Sequence, residues 1–112
     1  MHSVVETPAY LADAERLFTT EERTAIVDHV AADPECGVLI PGTGGIRKVR
    51  FGFGGRGKRG GARVIYYLAG DEVPIFLLTV FAKNEKADLT PRERAGLASS
   101  VKEMTIGYRR RP

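Results

Sequence analysis

The sequence predicts an α+β fold with the element order β-α-α-β-β-β-α. Apolar residues with helical spacing occur twice before residue 33 and once more after residue 90. Between these stretches lie three runs rich in β-branched and aromatic residues, separated by glycine-rich or turn-type connections. A tight reversal between successive strands favours antiparallel pairing, so we expect an antiparallel-dominated sheet with a helical hairpin and a C-terminal helix.

The first third of the chain predicts a short strand followed by the helical hairpin. The strand covers residues 3–6 and ends before Pro8, which is well placed to start a helix. Thr19 and Glu22 have the spacing of a capping box at the start of the second helix, and Pro34 ends that helix. The apolar stripes of the two helices are Leu11, Ala14, Leu17 and Phe18, then Ile26, Val27, Val30 and Ala31.

Three strands are predicted in the middle of the chain, over residues 46–51, 62–68 and 75–82. The connection before them, residues 37–45, is rich in turn residues and cannot form a regular helix. Side chains alternate in a strand, so Lys48 and Arg50 share one face of the first strand. The last strand is apolar on both faces and is therefore predicted to be central.

The last helix is predicted to begin at Thr90-Pro91 and to end at Gly107. Its apolar side is formed by Leu97, Val101 and Met104. Residues 107–112 then form a basic tail, which we expect to be flexible. A chain of 112 residues with 43% apolar composition fits one domain, so residues 1–112 are predicted to fold as a single unit.

Charge is distributed unevenly along the chain, although the net charge is only +3. Residues 1–46 carry two bases and eight acids, whereas residues 47–70 carry seven bases and no acid. The remaining residues, 71–112, carry eight bases and six acids. A basic segment on an otherwise acidic or neutral body is typical of proteins that bind a polyanion.

The sequence gives no indication of a metal site, a cofactor or a membrane segment. Cys36 is the only cysteine, and the two histidines, His2 and His29, make no metal-ligand pattern with it. No run of 18 apolar residues is present, and residues 1–10 do not have the pattern of a secretion signal. A cytoplasmic protein without a cofactor is therefore expected.

The connection between the first two of these strands, residues 52–61, contains six glycines. It matches the G-x-G-x-x-G pattern and nearly matches a P-loop, but Arg59 stands where a P-loop has Ser or Thr. Both motifs also require a following helix, whereas a strand follows here. The bases of this loop, Arg56, Lys58 and Arg59, are instead predicted to contact phosphates along a backbone that can approach the ligand closely.

The strand cations are better candidates for chemistry than the loop cations. Lys48, Arg50 and Arg63 project from neighbouring strands, and strand residues are held rigidly enough to stabilise charge in a transition state. Lys83 follows the apolar strand and is a candidate for proton transfer. A solvated basic surface remains the alternative interpretation of these residues.

Three segments carry a further pattern: IPGTGGIRKVR (residues 40–50), GKRGGARVIYY (residues 57–67) and KNEKADLT (residues 83–90). Together with the helix start at residues 20–23, these segments resemble the RelE/ParE superfamily of bacterial type II toxins, and in particular its HigB-like members. The resemblance covers nearly the whole chain and implies a RelE-like, microbial ribonuclease-type fold.

The resemblance implies a ribosome-dependent endoribonuclease that cleaves mRNA in the decoding site of the 70S ribosome and so inhibits translation. The implied chemistry is attack of an RNA 2′-OH on the adjacent phosphate without a metal, and the implied partner is a cognate antitoxin, expected to be a helix-turn-helix DNA-binding protein. The residues matched to catalytic positions are Lys48, Arg50, Arg63 and Lys83. The residues expected to bind RNA are Arg47, Arg56, Lys58, Arg59 and Lys86.

Two positions depart from the family pattern. Asn84 stands where an arginine is expected, and Thr90 stands where a tyrosine is expected. The proton carrier is therefore left open between Lys83 and Lys48. Two other functions also remain open: a ParE-like inhibitor of DNA gyrase, which needs no catalytic cluster, and a non-catalytic RNA-binding module.

Overall fold

The computed structural model describes residues 2–52 and 61–109. They form a five-stranded sheet in the order β1-β5-β4-β3-β2, in which only the β1–β5 pair is parallel. The predicted α+β class and the mainly antiparallel sheet are confirmed. The elements are β1 (Val4–Glu6), α1 (Pro8–Leu17), α2 (Thr20–Ala32), β2 (Val38–Leu39), β3 (Ile46–Phe51), β4 (Ala62–Tyr67), β5 (Ile75–Ala82) and α3 (Pro91–Arg109).

Strand β2 is an addition to the predicted element order. It pairs with β3 at the edge of the sheet, with Val38 opposite Lys48 and Leu39 opposite Arg47. Both β2 side chains are exposed. A two-residue strand with no buried side is too short to show the period of two on which strand prediction depends.

The two faces of the sheet carry separate hydrophobic clusters. Helices α1 and α2 cover one face, where Tyr10 and Val30 pack with Tyr66 and Leu77. Helix α3 covers part of the other face, where Val101 packs in one cluster with side chains that include Ile65, Tyr67, Phe76 and Leu78. Because β5 contributes to both clusters, the prediction that it is a central strand is confirmed. Tyr10, which was not in the predicted stripe of α1, is fully buried.

Helices α2 and α3 begin with the same local arrangement. In α2 the Thr19 hydroxyl accepts from the Glu22 amide (3.1 Å), and the Glu22 carboxylate accepts from the Thr19 amide (2.9 Å). Thr90 and Glu93 form the equivalent pair of bonds (3.1 and 2.8 Å) at the start of α3. The predicted capping box of α2 is confirmed, and α3 begins where the sequence predicts.

Helix α3 does not end at Gly107, where the sequence predicts its end, but continues to Arg109. Tyr108 lies edge-on against Phe76, with 5.7 Å between ring centroids, so packing on the sheet outweighs the poor helix propensity of Gly107. Residues 110–112 of the predicted tail lie outside the described part of the chain. None of the described helices has the length and apolar character needed to cross a membrane.

The Tyr66 hydroxyl ties the connection before β2 to the sheet. It donates to the Pro34 carbonyl (2.7 Å) and accepts from the Gly37 amide (2.8 Å). Burial, followed by the neighbouring Cys36 thiol, raises the pKa of Tyr66 above its ordinary value. There is no room for a side chain at Gly37, because a Cβ there would lie 2.7 Å from a Tyr66 ring carbon.

We expect Tyr66→Phe to lower the free energy of unfolding by about 1–3 kcal/mol, because it leaves a buried amide without a partner. The measurement is urea denaturation followed by circular dichroism. Tyr67→Phe is the matched control, since among the described residues the Tyr67 hydroxyl bonds only to Thr105, whose hydroxyl can donate to the Val101 carbonyl instead. Equal losses in the two variants would contradict the role assigned to Tyr66.

Candidate functional site

Three cations lie on the face of the sheet that α3 only partly covers. In the β3–β4 pairing, Lys48 is opposite Ile65 and Arg50 is opposite Arg63; on β5, Phe81 is opposite Arg63. Directly paired residues of an antiparallel sheet point to the same face. Lys48, Arg50 and Arg63 therefore share one side of the sheet, which we call the cationic face, as the sequence predicts.

Arg50 and Arg63 are a like-charged pair directly across two strands, and like charges in such positions repel each other. The Nε of Arg63 is buried, and within residues 2–52 and 61–109 it has no hydrogen-bond partner. Buried donors are nearly always paired in folded proteins, so the Arg63 side chain is a candidate for binding an anion.

Lys48 has an acidic partner that is distant in sequence. Its Nζ lies 3.1 Å from a carboxylate oxygen of Asp88, which is in the connection between β5 and α3. The Leu89 amide, and after it the Lys48 ammonium, holds the pKa of Asp88 below its ordinary value, and the charge of Arg63 acts in the same direction. The basic segment is thus partly compensated in space, although it contains no acid of its own.

The connection that carries Asp88, residues 83–90, is fixed at several points. Glu85 accepts from the Ala82 amide (3.1 Å) and pairs with Arg16 on α1 (2.7 Å). Lys86 pairs with Glu93 and lies 5.0 Å from the centre of the Phe81 ring. Leu89 is buried in the same cluster as Phe81. These anchors position both Lys86 and Asp88 beside the cationic face.

We expect Lys48→Met to raise the pKa of Asp88 toward the ordinary value of 3.8, because it removes the ammonium that stabilises the carboxylate. The bond from the Leu89 amide remains, so the pKa should stay below that value. Any stability contributed by the Asp88 charge is present above the unfolded pKa and is lost as the pH falls through the folded pKa. An NMR titration of the carboxyl carbon checks this, and an unchanged pKa would contradict the pairing.

Residues 37–108 match the protein family described as the RelE toxin of the RelE/RelB toxin–antitoxin system. This chain belongs to the RelE toxin family. The matched region contains the whole cationic face and the connection that follows β5. Membership makes the protein a toxin of a toxin–antitoxin system, and a cognate antitoxin is its implied partner.

The fold of this RelE-family toxin is also similar to a solved structure, that of a double arginine-to-alanine mutant of the Escherichia coli toxin RelE in the free state. The TM-score is 0.60 at 17% sequence identity, and the match covers 89% of this chain and 96% of the other. At this identity the similarity concerns the fold. It agrees with the RelE-like fold that the sequence predicts.

Two of the remaining predicted site residues of the toxin, Lys83 and Lys86, lie in the connection between β5 and α3. Lys83 is exposed directly after β5, and its amide donates to the Gly61 carbonyl (3.1 Å) at the end of the sheet that carries Arg63. Lys86 is beside Phe81, as described above. Asn84 is exposed, and the Thr90 hydroxyl caps α3.

Arg47, predicted to bind RNA, does not lie on the cationic face of the toxin. It alternates with Lys48 and is opposite Tyr66, on the side covered by the helical hairpin. Its guanidinium donates to the Gly37 carbonyl (2.8 Å) and lies 3.7 Å from a carboxylate oxygen of Glu35. The other predicted RNA contacts, Arg56, Lys58 and Arg59, lie outside the described residues.

Sequence reasoning did not identify Asp88 as part of the site. It lies 40 residues from Lys48, and no local pattern connects the two. The available signal was its place in the KNEKADLT segment, two residues after the predicted site residue Lys86 and just before a helix start. Within residues 2–52 and 61–109, no group of three or more His, Cys, Asp and Glu side chains is arranged to hold a metal ion.

Proposed function

We propose that this toxin is a ribosome-dependent endoribonuclease that cleaves mRNA in the decoding site and thereby inhibits translation. The observation that carries the proposal is the Arg50–Arg63 pair with its unpartnered buried Nε. A poison that acts by binding a protein does not need two arginines paired on one face of the sheet. A phosphate in a strained, doubly charged transition state does need them.

The reaction is attack of the RNA 2′-oxygen on the adjacent phosphorus. The bond from phosphorus to the 5′-oxygen breaks, which leaves a 2′,3′-cyclic phosphate and a 5′-hydroxyl. The 2′-hydroxyl loses a proton and the leaving 5′-oxygen gains one, so the proton count balances. In this scheme Arg50 and Arg63 stabilise the charge that develops on the non-bridging oxygens.

The structure bears on the choice between Lys48 and Lys83 as proton carrier. The ion pair with Asp88 holds the Lys48 ammonium in place, so we expect Lys48 to act as a fixed cation that binds the phosphate. The Lys83 side chain has no hydrogen-bond or ion-pair partner within residues 2–52 and 61–109. Lys83 lies at the same end of the sheet as Arg63. We therefore assign proton transfer to Lys83 and phosphate binding to Lys48, with Lys86 contacting the RNA backbone.

Three further features belong to the proposal. The toxin is a HigB-like member of the family, as the segment KNEKADLT suggests. Its antitoxin is a helix-turn-helix DNA-binding protein, and both act in the cytoplasm. The reaction needs neither a metal nor a cofactor, because the basic side chains supply the charge stabilisation that a metal would otherwise supply.

The test is primer extension on defined transcripts after brief induction of the toxin, in cells and in a purified translation system. We expect cuts within codons of translated mRNA, and none in the same RNA without ribosomes. Products of the purified reaction should end in a 2′,3′-cyclic phosphate. Intact transcripts accompanied by DNA breaks would instead support gyrase poisoning and overturn the proposal.

A further inference from the structure

Asp88 places a negative charge where the proposed function requires an RNA phosphate to bind. Its carboxylate contacts the Lys48 ammonium at 3.1 Å, and Lys48 lies on the same strand and face as Arg50. Arg63 is close enough to contribute to the lowered pKa of Asp88. The free toxin therefore carries an internal anion at the edge of its own anion-binding site.

The position of this carboxylate is built into the fold. One Asp88 oxygen accepts from the Leu89 amide (2.8 Å), and the other accepts from Lys48. Leu89 is buried, and Thr90 caps α3, so the backbone on the C-terminal side of Asp88 is fixed. Two hydrogen bonds therefore hold this carboxylate beside Lys48.

Two anions near the same lysine repel each other, so a phosphate that pairs with Lys48 also meets the negative charge of Asp88. A phosphate that meets Lys48 alone gains little, because the repulsion by the carboxylate offsets much of the attraction by the ammonium. A phosphate that reaches Arg50 and Arg63 at the same time gains two new charged contacts. The repulsion thus disfavours loosely bound RNA more than RNA held in a defined position.

We infer that Asp88 is a specificity-determining residue, whose carboxylate occupies Lys48 and weakens the binding of RNA that does not engage Arg50 and Arg63 together. The identity of the ligand as RNA rests on the proposed function. The consequence is that the isolated toxin has low affinity for unstructured RNA in general. Cleavage is then directed to mRNA that the ribosome holds in position.

The test is the affinity of purified toxin for a short single-stranded RNA with 2′-O-methyl groups, which cannot be cleaved, measured by fluorescence anisotropy at several salt concentrations. Asp88→Asn keeps an oxygen for the Leu89 amide but removes the charge. We expect it to tighten binding roughly three- to tenfold, as for loss of one negative charge several ångströms from a phosphate. The salt dependence should become steeper because Lys48 is free to contact phosphate.

Asp28→Asn is the matched control, because it changes the net charge equally on an exposed position of α2, on the other side of the sheet. We expect less than a twofold effect there. In a Lys48→Met background, the gain from Asp88→Asn should become smaller. Thermal unfolding of each variant checks that the fold is kept.

Equal gains from Asp88→Asn and Asp28→Asn would overturn the inference, since the effect would then be one of net charge. Weaker binding by Asp88→Asn would also overturn it. The affinity measurement is independent of cleavage, so the two proposals can fail separately. A wild-type toxin that cuts no mRNA, with the Asp88 effect preserved, would overturn the proposed function and leave this inference standing.

Discussion

Replacing Arg63 with alanine is expected to reduce mRNA cleavage by roughly 10²- to 10³-fold, the usual loss when one donor to a developing negative charge is removed. Arg63 lies on β4 between Arg50 on β3 and Phe81 on β5, which gives it a central place on this face of the sheet. The measurement is the rate of cleavage of ribosome-bound mRNA under single-turnover conditions. Arg63→Lys should recover only part of the loss, because an ammonium cannot bind phosphate in a bidentate manner.

Lys102→Ala is the control for this prediction. It removes the same unit charge from an exposed position three turns along α3 and should leave the cleavage rate within about twofold, as surface substitutions usually do. Arg63→Ala also relieves the repulsion with Arg50, so it should be as stable as the wild type or more stable. Retained activity, or a loss of activity explained by unfolding, would contradict the assigned role.

Gly61→Ala is expected to lower the free energy of unfolding by about 2–4 kcal/mol, from left-handed backbone strain together with steric overlap. Gly61 has a φ of +59°, and a Cβ built there would lie 2.2 Å from the Phe51 carbonyl oxygen. Its own carbonyl accepts from the Lys83 amide. The substitution therefore disturbs the ends of β3, β4 and β5 together, and we expect cleavage to fall as well.

Urea denaturation of Gly61→Ala beside Gly52→Ala checks this prediction. Gly52 lies at the other end of the same connection, and a Cβ built there meets no atom within 4 Å. The Gly52 variant should stay within about 0.5 kcal/mol of the wild type, as is usual for surface positions. A Gly61 variant of unchanged stability would show that the chain accommodates a side chain by moving the end of β3.

The features predicted from sequence are those encoded by neighbouring residues. The capping box of Thr19 and Glu22 needs a spacing of three, and the common face of Lys48 and Arg50 needs a spacing of two. Arg63 joins that face because β3 and β4 are consecutive antiparallel strands. Local geometry and chain direction were therefore enough to place three of the four predicted catalytic residues on one surface.

The features that sequence reasoning missed depend on contacts between distant segments. The expected binding of RNA by Arg47 stays a prediction, but strand alternation places Arg47 on the opposite face, and its contact there with Glu35 could not be read from the sequence. Asp88 reaches Lys48 only because β5 returns the chain to the same end of the sheet. Helix α3 continues beyond Gly107 because Tyr108 packs against Phe76 on β5. None of these partners is visible as a local pattern.

The parallel pairing of β1 with β5 has a consequence for how the toxin is synthesised. Thr7, at the end of β1, bonds to the carbonyl of Leu77, 70 residues later in the chain. Strand β1 is synthesised first but can pair only after β5 has been synthesised. Such non-local pairing is slow to form. Lys83 and Asp88 emerge later still. A ribosome making this toxin must therefore synthesise residues 1–88 before Asp88 can join Lys48 beside the cationic face.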